Sequence, residues 1–367
     1  MKSPSKKKSP SKKKSHMQRL NKDILNIIYL KSGRKFNKES KEYIKILIRD
    51  NDIKVEILIN EFIQKNIHIP NIDELIRRHI RIYYHNDIEK IYGWDPKKIN
   101  IFSWNLSNIQ LIELPENFGN LNVIDSLDLS NNQLRILPKN FGNIKIGGIL
   151  NLSNNQLINL PKNFGNIKIR VSLYLSGNQL TKLPESFGKL ILKGVLNLSD
   201  NKLTKLPESF GNIDIGDELS LYNNQLTELP YNFGKIKIGG NLFLHFNQLE
   251  SLPESFGNIK IIRGSLYLSG NKLKSLPENF GNIEIEDILF LSKNELTSLP
   301  ESFGHIKVGC SLYLDDNKLT NLSLSDKNFG NINIGGNLNL NGNNITLDYY
   351  NNSEHFKKII VRGNIFL

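Results

Sequence analysis

The sequence predicts an α/β solenoid: a stack of near-identical coils, each giving one short strand to a curved parallel sheet on the concave face and loops or short helical turns on the convex face. Three observations predict it. A leucine opening a Leu-x-Leu pair stands at 127, 150, 173, 196, 219, 242, 266, 289, 312 and 338, a spacing of 23 residues apart from one 24 and one 26. Five residues after each comes an asparagine: Asn132, Asn155, Asn178, Asn201, Asn224, Asn247, Asn271, Asn294, Asn317 and Asn343. A Phe-Gly pair keeps the same period from Phe118 to Phe329. Self-similarity at a fixed period of roughly 20 to 50 residues is the signature of a repeat architecture.

Each position in the unit has a physical task. In Leu150-Asn151-Leu152 the alternation has period two, so the leucines point inward and Asn151 outward from a short strand. The asparagine follows where the chain must turn. Its amide can bond backbone groups of the turn and of the neighbouring coil, so the ten asparagines are expected to form an internal ladder. Leu157 and Leu160 continue the core, Pro161 fixes the backbone, Phe164 fills the wider convex side, and Gly165 permits a tight turn behind the ring. One copy cannot offset the entropy of ordering its own residues; stacking buries each coil's two open faces and makes the array stable.

This unit resembles the leucine-rich repeat of the 23-residue cytosolic type, over residues 101–347 in about eleven copies. The first copy departs from it, with Trp104 in place of the leucine and Ile109 in place of the asparagine. The last copies lose the Leu-Pro, since Leu322 precedes Ser323. After Leu347 the pattern stops, and residues 348–367 are expected to cover the last coil as a C-terminal cap. Ile146-Gly147-Gly148 replaces the leucine usual in that class, which favours loops or short helical turns over full helices on the convex side. The near-identical copies, rich in Ile, Asn and Lys, look like leucine-rich-repeat proteins of giant viruses infecting amoebae. That resemblance implies a viral protein acting inside a host cell.

The region before the repeats is organised differently. Residues 1–16 hold seven lysines and no acid, in the tandem Ser3-Pro4-Ser5-Lys6-Lys7-Lys8 and Ser9-Pro10-Ser11-Lys12-Lys13-Lys14. So polar a segment is expected to be disordered. It reads as an import signal, a phosphate-backbone contact, a site for an acidic partner, or a solubilising charge run. Residues 17–100 show helical periodicity, and Asn71 with Glu74 forms a capping-box pattern opening a stretch to Tyr84, so a helical N-terminal cap domain is expected there. Leu20-Asn21-Lys22-Asp23-Ile24-Leu25 resembles the opening of an F-box, with Asn21 where that motif has proline. This implies a second reading, a ubiquitin-ligase substrate adaptor.

Charge and chemistry narrow the function. The chain carries a net +12, of which +7 lies in residues 1–16 and +5 in residues 17–100, while residues 101–367 balance 24 basic against 24 acidic side chains. Polyanion attraction is therefore expected of the leader, and a nucleic-acid-associated factor is a third reading. One cysteine, no apolar secretory leader and no run of about 18 apolar residues favour an intracellular chain, in cytoplasm or nucleus, that is neither secreted nor membrane-bound. No catalytic constellation, cofactor loop, metal cluster or small-molecule substrate site is expected. The seven histidines are scattered, and Cys310 is expected to be a buried, inert core thiol.

Function is thus expected on the concave face, whose outward side chains are free of packing duty. There Tyr174, Phe243, Tyr267, Phe290 and Tyr313 stand between paired leucines, with Tyr222, His245 and Phe246 on adjacent turns. Aromatics dominate interface hot spots, which makes this row a candidate site for a protein partner. They also suit exposed strands and stack along a parallel ladder, which is the structural alternative.

Overall fold

The computed structural model describes residues 81–83, 100–114, 116–259, 261–320, 332–352 and 358–367. Each coil contributes two short strands to two parallel sheets. The first sheet holds twelve strands, from β2 (Asn100–Asn105) through pairs such as Leu127–Asp128, Leu219–Ser220 and Leu312–Tyr313 to Ile365–Phe366. Its register is set by the leucines: Leu196 lies opposite Leu173 on one side and Leu219 on the other. The second sheet uses the Ile-x-Ile segments, among them Lys145–Ile146, Lys168–Ile169, Asp214–Ile215 and Glu284–Ile285, in three runs. One break falls at the 24-residue copy, whose additional residue lies between Phe256 and Leu266.

Between the sheets runs one continuous apolar core. The paired leucines, Leu-x-x-Leu and the isoleucines of the second sheet are buried along its length. Phe118, Phe141, Phe164, Phe187, Phe210, Phe233, Phe256, Phe280 and Phe303 stack at 5.8–6.2 Å between ring centroids. Trp104, the departure in the first copy, lies against Phe118 at 5.9 Å and closes the exposed end of this spine. Rings one coil apart on the outer surface of the first sheet are only 4.4–4.8 Å apart. The coils therefore fan apart away from the strands, and the first sheet is concave.

The convex side carries 3-10 turns centred on Phe-Gly, such as Phe164–Asn166 and Glu208–Asn212. An α-helix occurs among the described residues only at Leu347–Asn352. The glycine behind each ring is required for a reason other than a turn: a Cβ on Gly165 would collide with the Ser186 carbonyl oxygen of the next coil. Likewise a Cβ on Gly147 would collide with the Ile124 carbonyl of the previous one. Glycine here sets how closely the coils stack.

The ladder asparagines bind as a relay. Asn178 accepts the Leu157 N–H at 3.0 Å and donates to the carbonyls of Leu152 and Leu175, each at 3.0 Å. The same pattern holds from Asn132 to Asn343. The left-handed turn that admits it falls one residue earlier, at Asn131, Asn154, Gly177, Asp200 and their equivalents, with φ of 53–69°.

Both ends depart from expectation. Arg81–Tyr83, placed by periodicity at the end of a helix, is a strand (β1) that pairs antiparallel with β2. It satisfies the outer edge of the second sheet, which a helix ending there would leave open. The rest of the expected helical domain and the basic tail lie outside the described residues. At the other end, the segment expected to be a cap supplies Ile360–Val361 and Ile365–Phe366, paired in register with Asn333–Ile334 and Leu338–Asn339 as a twelfth coil. Ile359-Ile360-Val361-Arg362-Gly363-Asn364-Ile365-Phe366-Leu367 repeats the pattern of Ile236 to Leu244 with Ile365 in place of leucine.

Candidate functional site

Seven of the eight aromatic residues expected to form the concave site come together, while Phe366, exposed on the last strand, stands apart from them. Phe243, Tyr267, Phe290 and Tyr313 occupy equivalent positions on four successive strands, in register. Their rings stack at 4.4, 4.6 and 4.8 Å, with interplanar angles falling from 26° to 8°. Parallel register puts identical positions side by side, so the row follows from the repeat itself. Each ring is half-buried against its neighbours and presents its remaining surface outward. Tyr174 stands apart, separated from Phe243 by the strands of Asn197 and Ser220.

A second cluster adjoins the row where the strands end. Tyr222 stacks on His245 at 4.8 Å, and His245 meets Phe243 and Phe246 edge-on at 5.8 and 5.1 Å. Burial holds His245 below the ordinary histidine range, opposed by the Asp200 carboxylate, so the ring is neutral at pH 7. Its Nδ1 is enclosed without a hydrogen-bond partner, as is the hydroxyl of Ser220. Asp200 accepts from the Asn223 amide at 2.6 Å, and Asp315 from the Ser292 hydroxyl at 2.7 Å. The cluster is thus an aromatic surface with carboxylates at its margin.

Phe246 carries a signal that the sequence pattern does not show. It is 58% exposed and sits at φ 53°, the left-handed position that the other coils fill with Asn, Asp or Gly and, at Lys293, with lysine. A bulky aromatic there is strained. Its ring lies over Gly270 of the next coil, where a Cβ would meet it. Strain at an exposed aromatic marks a surface arranged at a cost to stability.

Cys310 lies elsewhere than the expected core position. It is exposed, not buried, because it occupies the corner between the two sheets where Gly148, Gly240 and Gly336 stand in other copies. A hydrogen bond to the Asp287 carboxylate holds the thiol above its ordinary range and therefore protonated. Among the described residues, no group of three or more His, Cys, Asp or Glu side chains could hold a metal ion. The six tail lysines, Lys6 to Lys8 and Lys12 to Lys14, lie outside the described residues.

With this geometry in view, comparison with known proteins places the chain. The Leucine Rich Repeat family model matches residues 124–144, 171–190, 195–213 and 265–283. This chain contains leucine-rich repeats. Its leucine-rich repeats align with a chain of the Toll–Spatzle complex of Drosophila at 21% identity over 66% of this chain and 38% of that one, with a TM-score of 0.51, a likeness of fold. Two further similar structures are a leucine-rich-repeat protein of Leptospira interrogans (25% identity, 70% of this chain and 82% of that one, TM-score 0.36) and the leucine-rich effector YopM of Yersinia pestis (24%, 66% and 61%, TM-score 0.44). No curated protein sequence matches the chain.

Proposed function

We propose that this leucine-rich-repeat protein is a non-enzymatic interaction scaffold that captures a protein partner on the aromatic surface of its concave face. The observation that carries the reading is the continuous stack from Phe243 to Tyr313 with Tyr222, His245 and Phe246 beside it. Stacking alone accounts for the four strand residues. It does not account for Phe246, which is exposed and strained in a turn where asparagine or glycine fits without cost. Half-buried aromatics on a rigid ladder lose little conformational entropy when a partner covers them, which favours binding per unit area. Leucine-rich repeats serve generally as protein-interaction scaffolds, which supports the same reading.

The test is direct. Replacing Phe243, Tyr267, Phe290 and Tyr313 by Ser is expected to abolish capture of the partner from the native cell while a cooperative melt is retained. Undiminished capture by the folded variant would move the site off this face.

A further inference from the structure

The repeats are neutral in total but not in distribution. Residues 129–199 hold nine Lys and Arg against one acid, Glu185, a net +8, and the rest of residues 101–367 is correspondingly negative. This charge is on the surface: Lys139, Lys145, Lys162, Lys168, Arg170 and Lys193 are all exposed. Lys145 and Lys168 are opposed in register on the second sheet, away from the aromatic face. Lys139 and Lys162 hold equivalent positions after the Leu-Pro of successive coils, and Arg170 and Lys193 equivalent positions at the corner. The patch therefore spans three coils.

Farther along the same rows the charges are compensated. Lys237 pairs with Asp214 at 3.4 Å and Lys307 with Glu284 at 2.6 Å, both on the strand row of Lys145 and Lys168. After the Leu-Pro, Glu185 at the edge of the patch and then Glu208 and Glu254 beyond it take the place of Lys139 and Lys162. None of the six patch cations forms an ion pair among the described residues. Like charges facing each other across strands cost stability. The buried phenylalanine rings of these coils stack at 6.1 Å, and Lys145 and Lys168 stand on adjacent paired strands, a coil-to-coil separation inside the Debye length of about 8 Å at physiological salt, so the fields of these cations add.

We propose that this basic face of the second to fourth coils is a phosphate-backbone site for nucleic acid. A linear polyanion runs along rows of fixed cations and releases counterions at each contact. The patch has no aromatic side chain to stack on bases, so binding is independent of sequence. The site is distinct from the aromatic surface and lets the scaffold hold nucleic acid and a protein at once.

The test uses the full chain and short mixed-sequence DNA and RNA oligonucleotides, single- and double-stranded, carrying a fluorescent label. Anisotropy titrations compare wild type with the triple variant Lys145→Glu, Lys168→Glu, Arg170→Glu, whose fold is checked by its melt. The variant is expected to bind at least tenfold more weakly at about 50 mM salt, and to reduce the slope of log K against log salt by about 0.9 for each lost contact. A second full-length variant, with Lys6, Lys7, Lys8, Lys12, Lys13 and Lys14 changed to Gln, is expected to keep that difference. Equal affinity of wild type and triple variant overturns the proposal, as does loss of binding with the six tail lysines alone. Binding to phosphatidylserine vesicles, or salt-sensitive self-association, by a chain that ignores every oligonucleotide also overturns it.

Discussion

Replacing Asn178 by Ala tests how the ladder holds the coils together. Asn178 makes three buried hydrogen bonds of 3.0 Å, but losing them does not cost the same at each partner. The Leu152 carbonyl keeps a bond from Asn155 at 3.1 Å, and the Leu175 carbonyl keeps one from Asn201 at 3.0 Å. Only the Leu157 N–H is left with no replacement. Stranding that donor costs about 1–3 kcal/mol, and the two weakened acceptors add roughly 0.5–1.5 kcal/mol each, about 4 kcal/mol together. Gln179, exposed and next in sequence, is the control, and its Ala variant is expected to stay within about 0.5 kcal/mol of wild type. Because a long repeat array need not unfold in one step, native-state hydrogen exchange read at the Leu157 amide is the assay of choice. The Asn178 variant is expected to lose protection there and in the flanking coils first. A Leu157 amide as protected as in wild type, with a cost below about 1 kcal/mol, would show that the ladder is not what satisfies the turn.

Two further outcomes follow from the aromatic cluster. Phe246→Asn relieves a left-handed strain of about 1 kcal/mol and is expected to raise the melting temperature by about 2 °C while weakening partner binding; a lower melting temperature would contradict the strain argument. His245 is held below its unfolded value by burial, so the unfolded chain binds the proton more readily, and stability rises with pH through the window beneath the unfolded pKa. Acidification from pH 7 towards 5 is therefore expected to lower the melting temperature more for wild type than for His245→Gln, and equal pH profiles would remove His245 as the cause.

What was legible in the sequence is what the period repeats. Leu127 to Leu338, the ladder asparagines and the phenylalanine spine recur at fixed offsets, so one coil's chemistry gives all of them. The second sheet was hidden because Lys145-Ile146 is too short to show an alternation, and only the register of the stacked copies turns two residues into a strand. Ile365 breaks the leucine pattern while keeping its volume, so the twelfth coil read as a cap. Cys310 read as core because it stands two residues before Leu312, but the corner there turns the chain outward. Tyr174 shares the strand position of Phe243 yet belongs to a separate place on the face, since membership of the cluster requires neighbours on successive coils. The strain at Phe246 is a backbone property that no spacing encodes.

Docking of a protein partner on the concave aromatic surface is read out by site-specific photo-crosslinking in the native cell. A photoreactive phenylalanine analogue replaces either Phe290 on the stack or Tyr231, an aromatic 77% exposed beyond the Leu-Pro. One discrete protein adduct is expected from position 290 and none from position 231. Adducts from position 231 alone would contradict docking on this surface.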